Sequence, residues 1–432
     1  MRSDSHMPTS YIPSHYRSLE KKISTPSARR QQRKSQPATM AAAAAEAPLL
    51  RELPDAIVLW EILVRLDPKS LLRCRAVRRG WRSATSTHPF LLAHHARQPA
   101  LSIFSHCEYI GSDRKQDILL LDHQAAQLHT VVRFDRPYQL EGCCDGLLLL
   151  STRHSILNAS RTGLSVCNPT TREMASPGLL LDFNILGMYP HRPTGEYRLL
   201  LQGRKHETTQ WDTPTDRTGF YVLALGSHQP PRHVGCGSET KLAWAIFEAG
   251  VPVRLRDCLH WYRVFYRNPS EEDTGSKLVV FDTIAESFRQ MRAPLVPTKS
   301  YIFEMDGMLG IYTCNSMTTG QVVDIWVLHN YGSEAWDLKY RVRLPIARIR
   351  GRPEGPAGGW FLDVVSGDGG NALLLLCFGR SMFYIDTDGK LVSTLRSCHS
   401  WDQRLKQTLV PHGFFKALEG YAVNGSPFIP SI

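Results

Sequence analysis

The chain has 432 residues and is 42% hydrophobic, 9% aromatic and 21% charged, the balance of a globular protein with room for one large domain and a small one at about 150 residues per domain. Its longest apolar runs, such as Leu147–Leu150 and Ala372–Cys377, are strand-sized and fall short of the ~18 residues needed to span a bilayer as a helix, which excludes a helical membrane span. The net charge of +11 is local: residues 1–40 carry eight Lys/Arg against two acids, residues 65–82 carry seven against one, and the rest is close to neutral, so a tail and one helix are basic while the bulk is not.

Residues 1–47 are rich in Ser, Pro, Arg and Gln, poor in aliphatic residues, and end in the run Ala41–Ala45. Such a segment cannot bury enough apolar surface to offset its ordering entropy, and a disordered basic tail is expected. Three readings of it stay open: an Arg- and Ser-rich transit peptide, a weak nuclear address at Ala28–Lys34, or an initiator at Met40 that leaves the first 39 residues outside the natural protein.

Residues 49–96 change character. Leu53-Pro54-Asp55 opens a dense apolar segment with Ile57, Val58, Leu59, Trp60, Ile62, Leu63, Val64 and Leu66, where Pro and Asp suit a helix start. Asp67-Pro68 has the order of an N-cap and first helical residue. Beyond it Leu71, Cys74, Val77, Trp81 and Ala84 recur at three-to-four spacing as one apolar stripe, with Arg73, Arg75, Arg78, Arg79 and Arg82 off it. A short helix carrying Phe90 and Leu91 is expected after His88-Pro89. A helical unit of this size is too small to be very stable alone, and its apolar residues exceed what three short helices cover, which points to a partner.

Residues 97–432 read as strands. Apolar runs alternate with Gly, Pro, Asn and Asp turn signals: Leu147–Leu150, Tyr197–Leu201, Phe220–Leu225, Lys277–Phe281, Met308–Tyr312, Val323–Leu328, Ala372–Phe378 and Met382–Ile385. A weak repeat of strands ending in a polar or turn residue starts near 166, 221, 280, 325 and 384, at gaps of 55, 59, 45 and 59. An all-β domain of this length with such a period predicts a divergent, propeller-like architecture. Within it, Cys143-Cys144-Asp145-Gly146 and Asp306-Gly307 read as hairpin turns, Asn168-Pro169-Thr170-Thr171 as a turn closed on the Asn side chain, and His260-Trp261 as core packing, with no patterned acid beside the histidine.

The ten cysteines are scattered, and no two stand at the two-to-four-residue gap of a structural zinc site. Adjacent Cys143 and Cys144 point to opposite faces if they lie on a strand, and with no secretory signal the thiols read as buried and reduced. Neither a Gly-x-Ser-x-Gly elbow, a phosphate-binding Gly-Lys-Ser/Thr loop nor a metalloprotease histidine pair occurs. No catalytic residue, metal or cofactor is therefore assigned.

The 53–90 segment resembles an F-box. Leu53-Pro54, Ile62-Leu63, Leu66, Leu71, Cys74, Val77 and Trp81 fall where that family places its apolar signature, and the departure is Arg79, where Lys or Ser often precedes Gly-Trp. The remainder resembles the C-terminal domain common in plant F-box proteins, through Gly142-Cys143-Cys144-Asp145-Gly146-Leu147, Cys167-Asn168-Pro169-Thr170-Thr171-Arg172-Glu173, Gly195-Glu196-Tyr197-Arg198, Leu259-His260-Trp261, Phe281-Asp282-Thr283, Glu286-Ser287-Phe288-Arg289 and Asp324-Ile325-Trp326-Val327-Leu328. This resemblance implies a substrate-receptor subunit of a Skp–cullin–F-box ubiquitin ligase: Leu53, Pro54, Ile57, Ile62, Leu63, Leu66, Leu71, Leu72, Val77 and Trp81 would bind a Skp-type adaptor, and through it cullin, while the β domain binds a protein substrate. A nuclear or cytoplasmic location is expected, with no membrane partner. Nucleic acid is disfavoured because the basic helix must also bury its stripe. The alternatives are a propeller that binds a small ligand or glycan, its F-box regulating turnover, and a propeller enzyme, since the fold hosts all three roles.

Overall fold

The computed structural model describes residues 53–110, 113–122, 127–153, 161–178, 180, 182–203, 219–235, 250–262, 277–294, 300–314, 322–350, 361–366, 372–378, 381–396 and 399–429. The tail expected over 1–47, and residues 49–52 of the helical segment, lie outside them. Residues 53–432 form one compact unit, and no helix among the described residues is long and apolar enough to cross a membrane.

The β part is a six-bladed propeller. The first blade pairs Ala100–Ile110, Asp113–Asp122 and Gln127–Phe134 with the late strand His399–Lys406 at one edge. The second comprises Gln139–Cys144, Leu147–Arg153, Arg161–Asn168 and Glu173–Ser176, with Glu419–Val423 as a fifth, outer strand. The third starts at Phe183–His191 and the fourth at Val253–Leu255; the fifth spans Ser300–Met305 to Ala335–Arg343 and the sixth Phe361–Ser366 to Leu391–Arg396. All pairings are antiparallel. The ring is closed late: Ala100 pairs with Lys406 and Leu101 with Leu405.

The apolar runs are continuous because each blade is buried on both faces. Successive strand side chains point to opposite sides, so Leu147 and Leu149 enter the core between the second and third blades, while Leu148 and Leu150 enter the core between the first and second. Cys144 and Cys143 divide between the same two cores, as their adjacency predicts. Likewise Leu374 and Leu376 face the fifth blade and Leu375 and Cys377 the first. Separate apolar cores at all six blade interfaces complete the circuit.

Turn chemistry fixes the registers. Asp145 (φ 48°) and Gly146 (φ 88°) connect Cys144 to its cross-strand partner Leu147, and Asp306 (φ 53°) and Gly307 (φ 76°) connect Met305 to Met308: left-handed two-residue turns of the Asp-Gly kind. The corresponding turn of the fourth blade, Arg256-Asp257, holds both residues at positive φ (50° and 56°) with no glycine. Tertiary contacts sustain it: the Thr283 backbone N–H and hydroxyl both donate to the Asp257 carbonyl (2.9 and 2.7 Å), and the Arg256 guanidinium lies over the Tyr331 ring at 4.9 Å. The Asn168 side chain accepts from the N–H groups of Thr170 (3.1 Å) and Thr171 (3.3 Å), as the sequence predicts.

The five starts of the weak repeat all fall on the third strand of a blade, from Arg161–Asn168 in the second to Ser381–Ile385 in the sixth. The corresponding strand of the first blade is Asp113–Asp122. It is only the second strand of that blade in chain order, because the blade's first strand, His399–Lys406, comes from the far end of the chain.

Candidate docking surface

The helical segment begins at Pro54 (ψ 134°), whose carbonyl accepts from Ile57 N–H (2.9 Å) and Val58 N–H (3.1 Å). One helical run comes next: an α-turn over Asp55–Ile57, a wider π-turn over Val58–Ile62 and a tight 3-10 turn over Leu63–Arg65, ending at extended Leu66. Asp67 caps the next helix, Pro68–Val77, its carboxylate accepting from Ser70 N–H at 3.0 Å with Pro68 in the first turn, the pattern read from the sequence.

The single stripe expected through Trp81 is not a single helix. Arg78 is extended (φ −132°, ψ 124°), and a separate helix runs over Arg79–Thr85. In a continuous helix Arg75 and Thr85 would stand about 15 Å apart along the axis. The break brings them together, Arg75 Nε donating to Thr85 Oγ1 at 2.9 Å and Nη2 to the Thr85 carbonyl. Arg78 ion-pairs with Asp55 at 3.1 Å and lies over the Trp81 ring at 5.7 Å. Arg75 and Arg78 therefore hold the segment together. Val77, released from the stripe, is 80% exposed.

The last helix, His88–Arg97, closes the unit. Its buried His94 bonds the Leu66 carbonyl through Nε2 (2.8 Å), as does Gln98 Nε2 (3.0 Å), fixing the end of the first helical run. Burial holds His94 below its ordinary pKa. Leu63, Val64, Leu71, Phe90 and Leu91 form the core beneath these elements, joined by Leu409 and Val410 from the far end of the chain.

Above that core the residues expected to bind an adaptor divide. Leu53, Pro54, Ile57, Ile62, Leu72 and Val77 are exposed, Leu66 and Trp81 are half-buried, and Leu63 and Leu71 are fully internal. The last two can act on the surface only by supporting it. Two exposed apolar side chains stand outside that set: Trp60, seated against Phe90 at 5.5 Å between ring centroids, and Leu92. The signal for Trp60 was its place three residues after Ile57, on the same face of one turn. Seven of the thirteen exposed large hydrophobic residues among those described belong to residues 53–97. Lys69, Arg73, Arg79 and Arg82 are charged and make no ion pair among the described residues, while Arg65 pairs with Glu61 at 2.6 Å.

Beside this segment the propeller presents strand turns. Arg254 of the fourth blade ion-pairs with Asp145 in the turn of the second, and Tyr197 Oη donates to Asp145 at 3.3 Å. Glu286 gathers Tyr189, Arg198 and Arg232 between the third and fourth blades, and the guanidinium groups and the tyrosine hydroxyl keep its carboxyl below the usual range despite the opposing effect of burial. His260 is internal, bonded to the Val253 carbonyl (3.1 Å) and Tyr331 Oη (2.8 Å), and burial pulls its pKa down to about 4. This is core packing, as predicted. Burial raises the thiols of Cys143, to about 12, and of Cys144 and Cys167, which suppresses the reactive thiolate. What the arrangement offers chemically is a helical segment rich in exposed apolar and cationic side chains, packed on a propeller.

No family model matches the chain. A curated protein of Arabidopsis thaliana named as a "Putative F-box protein" is 23% identical over 308 residues, covering 69% of this chain and 75% of its own length. That kinship bears out the resemblance to plant F-box proteins drawn from the motifs. Among solved structures, TolB from Acinetobacter baumannii aligns at a TM-score of 0.37 and 10% identity over 73% of this chain and 71% of its own. A chain of a nidogen/laminin complex aligns at 0.36 and 10% over 70% and 97%. At those scores neither carries an argument.

Proposed function

We propose that this chain, kin to a plant F-box protein and built as a helical segment on a six-bladed propeller, is the substrate-recognition subunit of a Skp–cullin–F-box ubiquitin ligase. The helical segment docks a Skp-type adaptor and, through it, cullin; the propeller binds a protein substrate. The observation that carries the reading is the concentration of exposed apolar side chains (Leu53, Ile57, Trp60, Ile62, Leu72, Val77 and Leu92) on a helical segment whose core is already completed by Leu409 and Val410. Apolar surface left out by a completed core marks an interface. Such a subunit makes no bond itself: it raises the effective concentration of a substrate lysine near an activated ubiquitin. A nuclear or cytoplasmic setting belongs to the same proposal.

The test is adaptor binding by the full chain, wild type against Ile57→Asp/Leu72→Asp. Both side chains are exposed, so the folded chain tolerates the change, while a charge buried at the interface weakens binding at least a hundredfold, about 2.7 kcal/mol or more. Equal affinity of both proteins for the adaptor, with unchanged circular dichroism, would refute the assignment.

A further inference from the structure

The chain continues past the strand that closes the ring, and its next residues are built into the helical segment. Lys406, last residue of the closing strand, donates from Nζ to the Ala96 carbonyl (2.8 Å), and His95 Nδ1 donates to the Gln407 carbonyl (3.0 Å). Thr408 is 1% exposed; its carbonyl accepts from Asn168 Nδ2 (3.4 Å) and its hydroxyl accepts from Val410 N–H (3.1 Å). Leu409 and Val410 then enter the core formed by Leu63, Val64, Leu71, Phe90 and Leu91.

Beyond this point the chain returns to the propeller. The His412 ring packs on Tyr197 at 5.1 Å, and Phe415 is fully buried between the second and third blades. Glu419–Val423 adds the outer strand of the second blade, and the Pro427 carbonyl and Ile429 N–H pair with Asp135 N–H and the Arg133 carbonyl beside the first. The strap is thus anchored on both sides of the two residues it lends to the helical core.

We propose that this strap, residues 407–429, couples ring closure to the docking surface, so that the surface is presented only by a chain that carries the strap with the propeller closed. Leu409 and Val410 form one wall of the helical core, and they stand three and four residues past Lys406, which is paired with Ala100 in the closed ring. A chain lacking the strap would therefore fail to engage the ligase. In a finished chain the strap also makes the helical segment and the propeller one body, which holds a bound substrate at a fixed place relative to the adaptor. The adaptor part of this inference rests on the function proposed above; the coupling itself does not.

The experiment uses the full chain and the variants Leu409→Ala/Val410→Ala and Val410→Ala, compared by hydrogen exchange without adaptor and then by adaptor affinity. Amides of Pro68–Val77 and His88–Arg97 should exchange at least tenfold faster in the double variant and by a smaller factor in the single one. Those of Val322–Asn330 in the fifth blade should be unchanged in the single variant, and adaptor affinity should fall at least tenfold in the double variant. Unchanged helix exchange, or equal acceleration in the fifth blade in both variants, overturns the coupling. If wild type takes up no adaptor while the exchange pattern holds, the ligase reading fails and the coupling stands.

Discussion

Replacing Gly146 by alanine tests how tightly the strap is seated. Gly146 sits at φ 88° in the Asp145-Gly146 turn, and a Cβ there would meet Thr408 Cγ2 at 2.6 Å and the Lys406 carbonyl oxygen at 2.7 Å. Thr408 is internal, and Lys406 is paired in the closing strand, so neither can withdraw without moving the strap. Gly195 is the control: its φ is 72°, yet nothing lies within 4 Å of an added Cβ. Gly195→Ala should cost only the left-handed backbone penalty, about 1–2 kcal/mol, offset by about 0.4–1 kcal/mol from the stiffer unfolded chain. Gly146→Ala adds overpacking against backbone and a held side chain, about 1–3 kcal/mol more. The assay is equilibrium urea unfolding of both variants followed by tryptophan fluorescence. With a slope near 3 kcal/mol/M, the extra cost moves the midpoint of Gly146→Ala below that of Gly195→Ala by about 0.3–1 M. Coincident midpoints would refute the reasoning, because the two glycines differ in what stands opposite them and not in conformation.

Acid should destabilise the protein well before its carboxylates titrate. Burial brings the pKa of His260 and of His412 down to about 4 and lowers His94 and His95 as well, whereas all four titrate near 6.5 once unfolded. The unfolded chain binds more protons between these values, so the stability is fully present above pH ~6.5 and lost progressively towards pH ~4, at about 3 kcal/mol each for His260 and His412; a flat unfolding midpoint between pH 7.5 and 4.5 would contradict this. Arg404, on the closing strand, donates to the carbonyls of Glu304 in the fifth blade and Val364 in the sixth. Arg404→Met should therefore cost about 2–4 kcal/mol in the same urea assay, and a variant as stable as wild type would show that the two carbonyls need no donor.

Local chemistry made much of the ring and part of the surface legible. The Asp-Gly turns at Asp145 and Asp306, the Asn168 turn and the Asp67-Pro68 helix start each have their cause within four residues, and all appear as read. The eight apolar runs all lie on strands, with only Leu225 past a strand end, because a blade buried on both faces needs continuous hydrophobic sequence. The surplus of apolar residues over 53–92 was visible too, but its division was not: Leu63 and Leu71 face inward while Ile62 and Leu72, their immediate neighbours, face out. A π-turn followed by a 3-10 turn over Val58–Arg65 shifts the helical phase, and spacing arguments assume a constant 3.6.

What only the tertiary structure decided are features whose partners lie far along the chain. The break at Arg78 depends on Arg75 reaching Thr85 and Arg78 reaching Asp55; the glycine-free turn at Arg256-Asp257 depends on Thr283 and Tyr331. The blade number depends on Lys406 returning to Ala100, and the closed helical core on Leu409 and Val410. A turn or cap is selected by steric and hydrogen-bonding preferences that a few residues carry wherever they stand. A pairing across some three hundred residues is selected by the whole ring: its loop-closure entropy is offset only when neighbouring blades bury both faces of each sheet at once. For that reason the sequence by itself determined the strands, their Asp-Gly and Asn turns and the helical segment, and the tertiary structure determined that six blades close and that the segment is sealed to them.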